Sequence, residues 1–469
     1  MAARLPTSCE QPAPPAGLRP LLALAIFGLA WHAFLWSLGR SPELRSLAGD
    51  EQTYWARAEV WLAGGEPEVD LMWPPFYARF LSLCWAPLGR PSRLAVELVQ
   101  VVLLALAAFL LARWARREGL SPGWAAAAGF ALFVFPTSAA FAHYFWPEVL
   151  HLAIFLAVLE LARLEPETAR GVATVAGLAG LLLGLALLTK SLLTGFLPLL
   201  LLIDFAAAPR RWRWWRLGVM IAGLLLVISP TLIHNQEKTG RVTIADSSTF
   251  NLWVGLNDVS RQSHAGSIAW RELQAWRASA PTFAERDQLL AARIAAKVEE
   301  DGPARVAARQ LGRQYFRLFE KDSYLTDQLP TGTLAPEGQG YRQMGPGLAA
   351  LLRYLAWGSH LLLLGLAGFG LAFAPLPRRQ EPWTFLASAF LVYNLVIFFG
   401  LHVKSRYLLQ VVPFLLIAAA WGGSRLLAHF GGEEVRPRRP LLVGAILATI
   451  LLFLATAGPY LDHLEARLP

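Results

Sequence analysis

Four short stretches carry the side chains able to do chemistry in this chain. Asp50 and Glu51 stand in Gly49-Asp50-Glu51-Gln52-Thr53-Tyr54-Trp55, and Glu148 closes Phe141-Ala142-His143-Tyr144-Phe145-Trp146-Pro147-Glu148. Lys190 lies in Thr189-Lys190-Ser191, and Lys404 and Arg406 in His402-Val403-Lys404-Ser405-Arg406-Tyr407. A carboxylate held at an apolar boundary can act as general base toward a hydroxyl. Lysine offers a phosphate a point charge, and arginine offers it a two-pronged fork. Together these residues describe a site with a base for a nucleophile and cations for a leaving phosphate. Each has a plainer reading. Asp50-Glu51 are either solvated loop acids or are held at the membrane surface by the apolar stretch Met72-Trp73-Pro74-Pro75-Phe76-Tyr77. Glu148 is either a helix-start acid favoured by the dipole or a second carboxylate that positions an acceptor or a metal. Lys190 either snorkels to the interface or answers a lipid phosphate, and His143 and Tyr144 are either interfacial-belt residues or direct contacts.

The elements that must hold these residues are membrane helices. Of 469 residues 55% are hydrophobic and only 16% charged, against roughly a quarter charged in a soluble domain. Mean hydropathy is +0.43. A span needs about 20 apolar residues, and only helices and closed barrels satisfy every backbone group in lipid. The apolar runs are continuous rather than alternating, so they are helices. Eleven are expected, near 20–38, 93–112, 122–139, 147–162, 171–188, 191–207, 217–234, 348–374, 383–400, 407–427 and 440–457. The first is an anchor rather than a cleaved signal, because Arg40, Glu43 and Arg45 separate it from the small residues Ser46-Leu47-Ala48.

Lys and Arg in short loops orient the bundle. With the N-terminus inside, the inner segments hold seventeen arginines against seven acids. The short outer loops hold Lys190, Lys404 and Arg406 as their basic residues. The +9 total is therefore a topology signal, and the Arg/Trp run 210–216 is an inner interfacial belt rather than a nucleic-acid patch. Cys9 falls inside and Cys84 outside, so they cannot pair. The chain then divides into a cytoplasmic tail (1–19), an N-terminal transmembrane module (20–234) whose outer loop 39–90 carries the site, an extracytoplasmic helical loop (235–347) and a C-terminal transmembrane module (348–469). Within the long loop, 282–321 has helical apolar spacing and predicts two amphipathic helices broken at Gly302-Pro303. No Walker motif, GxSxG or HExxH is present.

At these residues the chain resembles the GT-C glycosyltransferases, in particular the bacterial relatives of the dolichyl-phosphate-mannose protein mannosyltransferases and the lipid A aminoarabinose transferase. The resemblance runs through Asp50-Glu51-x-x-Tyr54, Pro74-Pro75-Phe76-Tyr77, Pro147-Glu148, Leu188-Thr189-Lys190, Asn251-Leu252-Trp253-Val254-Gly255-Leu256-Asn257 and Arg406-Tyr407-Leu408-Leu409-x-x-x-Pro413. It departs from the usual pattern at Asn257-Asp258, which leaves the acceptor open. The resemblance implies an all-α GT-C bundle in the inner membrane that transfers a sugar from a polyprenyl phosphate to an extracytoplasmic glycan, lipid or protein, with inversion. Asp50 and Glu51 are then the catalytic candidates, with Glu148 assisting, and Lys190, Arg406 and Lys404 hold the donor phosphate. Tyr54, His143, Tyr144, Asn251 and His402 are the expected substrate contacts. No cofactor is implied and no metal is indicated. The rival readings are a transporter or flippase of lipid-linked sugars, which calls for charges buried mid-span and inverted repeats, and an assembly subunit. Burial at the interface is expected to raise the pKa of the catalytic carboxylate.

Overall fold

A computed structural model describes residues 18–257, 268–330, 340–373, 382–431 and 438–465. Cys9, Asp258 and the inner-loop arginines Arg378, Arg379 and Arg436 lie outside the described residues. Helices occupy each of the eleven expected positions: Leu18–Gly39, Arg93–Arg117, Pro122–Val134, Glu148–Ala162, Ala169–Thr189, Leu197–Ala207, Arg213–Thr239, Pro346–Leu371, Pro382–Gly400, Val412–Phe430 and Arg438–Glu465. Seven are long and apolar enough to cross a membrane. Their outward faces are apolar, as lipid contact requires: Val102, Leu226 and Leu442 are each about two-thirds exposed.

Three of the other four are shortened by local features. The run 122–139 is not one helix. Pro136, which lacks an N–H and disfavours helix at the residue before it, ends the first piece at Val134 and starts a second, Pro136–Phe141. Glu148–Ala162 has 15 residues, about 22 Å at the helical rise. It is buried along nearly its whole length, so protein rather than lipid surrounds it. Ahead of Leu197–Ala207 the chain makes a tighter 3₁₀ turn, Ser191–Gly195. The loop-side residues of these pieces, Pro147-Glu148 and Ser191-Leu192, line the cavity described below.

Small residues let the long helices approach closely. A Cβ at Gly180 would collide with the carbonyl of Met220, and one at Gly370 with that of Ala418. These contacts lock Ala169–Thr189 to Arg213–Thr239 and Pro346–Leu371 to Val412–Phe430. At the end of the bundle away from the cavity, Arg216 grips Asp204 at 2.7 Å and also donates to the carbonyls of Ala162 and Leu164. Arg163 pairs with Glu118, and Arg113 and Arg117 with Glu160. Part of the arginine excess thus ties helix ends together.

The long loop folds into Ser248–Asn257, Ile268–Ala278, Phe283–Asp301, Pro303–Leu318 and Tyr324–Gln328. The break falls at Gly302, whose φ of +81° suits glycine, and a Thr282/Glu285 capping box starts the helix before it. Leu71, Met72, Phe250, Val254, Leu273, Trp276, Phe283 and Leu290 form a second, smaller core that joins this loop to the first one. The first loop itself folds into Asp50–Leu62 and Phe76–Trp85, with Tyr54 edge-on to Tyr77 at 5.0 Å. A two-stranded antiparallel pair, Arg45–Ser46 with Gly340–Tyr341, is the sheet seen among the described residues.

Candidate active site

Local backbone chemistry aims four charged side chains at one place. Gly49 has φ +55° and ψ −127°, a conformation that side chains other than glycine's avoid, and it turns the chain directly into Asp50–Leu62. Asp50 and Glu51 therefore sit in a helix first turn, where the dipole favours acids. Pro147 sets up the same arrangement for Glu148. Lys190 follows the last residue of Ala169–Thr189 in extended backbone, at the end where the dipole favours a cation. Arg406 lies in the 3₁₀ segment Ser405–Gln410 that leads into Val412–Phe430.

These four line a cavity of about 360 Å³ together with Tyr54, Asn251, His402 and Lys404. Arg406 Nη2 donates to Asp50 Oδ2 at 2.6 Å, and Lys190 Nζ to Glu148 Oε1 at 3.2 Å. Arg406 Nε lies 4.0 Å from the same Glu148 oxygen, so the two pairs form one cluster. Asp50 is 30% exposed and Glu148 only 2%. The guanidinium of Arg406 lies over Trp146 at 4.0 Å, and Lys190 over Tyr407 at 5.1 Å. Burial pushes the Asp50 carboxyl up, but Arg406, Lys404 and Lys190 together outweigh it and hold it below the usual carboxylate range. This reverses the sequence expectation of a raised pKa, because three cations from two other loops face the group. Burial first, then Lys404, Arg317 and Arg406, pushes His402 well below the ordinary imidazole value. It lines the cavity as a neutral ring.

Three of the expected site residues, Glu51, His143 and Tyr144, point away from the cavity. Glu51 is fully buried behind the cavity. It takes Arg45 Nη1 and Nη2 at 2.8 and 2.9 Å and the backbone N–H groups of Ala48 and Phe145 at 2.9 Å each. With every lone-pair direction used, it ties the first outer loop to the second. His143 turns into the bundle, 3.1 Å from His32 and 3.4 Å from Glu97. Burial and Arg45 push its pKa down to about 3. Tyr144 lies under the guanidinium of Arg45 at 4.5 Å, with its hydroxyl 3.4 Å from that of Tyr341. Asn251 lines the cavity, bonds Ser247 Oγ at 3.0 Å, and its carbonyl accepts His402 N–H at 2.8 Å.

Two residues that the sequence does not single out help build the site: Trp146, the aromatic that backs Arg406, and Arg45, which also reaches the His143 carbonyl and Gln328. Trp146 stands beside Pro147-Glu148, so its place in the run was visible. Its direction was not. Nor was Glu97 expected as a buried carboxyl inside the helix Arg93–Arg117.

No family model matches the chain, and no curated protein does. Solved structures do. The apo oligosaccharyltransferase of Archaeoglobus fulgidus matches with a TM-score of 0.50 at 15% identity, over 94% of this chain and 55% of that one. The oligosaccharyltransferase AglB from the same organism, in complex with an inhibitory peptide and a dolichol-phosphate, gives 0.46 at 16% identity over 95% and 56%. ArnT from Cupriavidus metallidurans, bound to undecaprenyl phosphate, gives 0.39 at 17% identity over 95% and 89%. The chain spans about half the length of the archaeal transferase. At these identities the likeness is one of fold alone, that of an all-α bundle with helices long and apolar enough to cross a membrane.

Proposed function

We propose that the chain is a membrane glycosyltransferase that moves a sugar from a polyprenyl-phosphate donor to an acceptor hydroxyl at the outer membrane face, with inversion. The observation that carries this reading is the meeting of Asp50, Glu148, Lys190 and Arg406, from four separate segments, in one cavity at a helix-bundle end. Lys190 and Arg406, with Lys404 beside them, neutralise the phosphate as it departs. Asp50, the more exposed of the two carboxylates, takes the acceptor proton. The acceptor oxygen bonds to the anomeric carbon, the bond from that carbon to the phosphate oxygen breaks, and polyprenyl phosphate leaves with the electron pair. Base and leaving group act on opposite sides of the carbon, so one displacement inverts it. Glu148 orients the acceptor, while Tyr54, Asn251 and His402 supply neutral contacts. The similar structures described with dolichol-phosphate and undecaprenyl phosphate support a lipid-phosphate donor.

A radiolabelled polyprenyl-phosphate sugar, incubated with purified protein in nanodiscs and candidate acceptors, tests the reading. Transfer is expected from the wild type and not from Asp50→Asn, with both inserted equally. An Asp50→Asn protein that still transfers sugar at the wild-type rate refutes the assignment.

A further inference from the structure

The charges that line the cavity are already engaged with one another. Arg406 holds Asp50 at 2.6 Å, Lys190 holds Glu148 at 3.2 Å, and Arg406 Nε stands 4.0 Å from Glu148. The groups facing Asp50 are the cations Arg406, Lys404 and Lys190, with Glu148 and Tyr54 nearby. The cations a donor phosphate needs are thus the ones that now neutralise the two carboxylates. The base is the carboxylate in the shorter of the two pairs. A carboxylate oxygen held by a guanidinium is a poor acceptor for a hydroxyl proton, since the cation stabilises its ionised form. The three cations and two carboxylates of the cavity sum to +1. A sugar phosphodiester carries one negative charge, so it completes neutrality without proton uptake.

We propose that the donor enters by partner exchange: its phosphate draws Arg406 from Asp50 and Lys190 from Glu148, and this releases Asp50 to accept the acceptor hydroxyl, so that donor binds before acceptor. The inference rests on the glycosyltransferase reading and adds to it an order of binding and a control on the base. Trp146 under the guanidinium provides the pivot, because stacking persists while the fork turns from carboxylate to phosphate. Glu148 shows the same demand from the other side. Its Oε2 is buried and has no hydrogen-bond partner among the described residues. Once Lys190 turns to the phosphate, both of its oxygens call for a donor, and a substrate hydroxyl is such a donor. The cycle closes in balance. The acceptor proton moves to Asp50 and polyprenyl phosphate leaves with the electron pair. When Arg406 returns to Asp50, it lowers that carboxyl's proton affinity and sends the proton to the departing phosphate or to water.

The test is equilibrium binding of decaprenyl phosphate to protein in nanodiscs at fixed ionic strength, which requires no acceptor. Asp50→Asn, and Asp50→Ser as a second variant, are expected to bind roughly tenfold more tightly than wild type, the scale of one charged hydrogen bond. Arg406→Ala is expected to bind more weakly, and adding Asp50→Asn to it should then change nothing. Glu148→Gln is expected to tighten binding, and to lose that effect in Lys190→Ala. Unchanged or weaker binding by both Asp50 variants overturns partner exchange, as does a gain that persists without Arg406, which would mark a general field effect. Absence of saturable binding by the wild type overturns the glycosyltransferase reading itself, and the exchange with it.

Discussion

Replacing Glu51 with alanine separates a latch from a catalytic group. Glu51 has no solvent exposure and Arg45 only 1%, and their two bonds at 2.8 and 2.9 Å join a pair that also binds Ala48 N–H, Phe145 N–H and the His143 carbonyl. Removing the carboxylate leaves a buried guanidinium without its counter-ion, which costs about 3–5 kcal/mol. Arg45→Ala strands the carboxylate instead and is expected to cost a similar amount. Combining Arg45→Ala with Glu51→Ala removes both charges, so the double variant should be far less unstable than the sum of the singles. The coupling is expected at about 2–3 kcal/mol, within the range for contacting pairs. Thermal unfolding in nanodiscs, read by the fraction that elutes as monodisperse protein after heating, ranks these four proteins and Glu51→Gln. Sugar transfer per folded molecule is measured alongside. Both singles should melt well below wild type, and Glu51→Gln should keep transfer in whatever fraction folds. The reasoning is wrong if Glu51→Gln and Glu51→Ala melt like wild type yet transfer nothing, since that would return Glu51 to the chemistry.

Further expectations follow from the same geometry. The cations hold the Asp50 pKa below the usual carboxylate range, and the base acts ionised. The acid limb of kcat/KM should therefore fall at a pH below that range, and Arg406→Gln should move it upward; a limb that stays put in Arg406→Gln removes Arg406 as the cause. Gly49→Ala meets nothing nearer than Trp146 at 3.9 Å, yet its φ of +55° is strained for alanine. It should lower kcat by misdirecting Asp50, and an unaltered kcat would show that the turn does not set the aim. Lys190→Ala should weaken decaprenyl phosphate binding by about tenfold, the scale of one charge-assisted hydrogen bond; equal affinity in the two proteins would take Lys190 out of the phosphate site.

Much of the molecule could be read along the chain. Continuous apolar runs dictate helices because lipid offers no partner to a backbone N–H, and each of the eleven runs holds an α-helix for that reason. The Gly302-Pro303 break was legible because both residues interrupt a helix by their own covalent chemistry. Asp50, Glu148, Lys190 and Arg406 could be shortlisted because charge at an apolar boundary is costly. Their pairing could not, since Asp50 and Arg406 are 356 residues apart. Only the packing of four loop segments brings them within bonding distance. Neighbouring residues show the same divide. Asp50 and Glu51 share a helix turn and a charge, but about 100° of rotation between them sends one into the cavity and the other onto Arg45. His143 and Tyr144 read alike as interfacial-belt residues or substrate contacts, yet both point away from the cavity while the neighbouring Trp146 meets Arg406. Even the sign of the Asp50 pKa shift belongs to the tertiary structure. Burial is a property of one residue's setting, whereas three converging cations exist only once the loops have met.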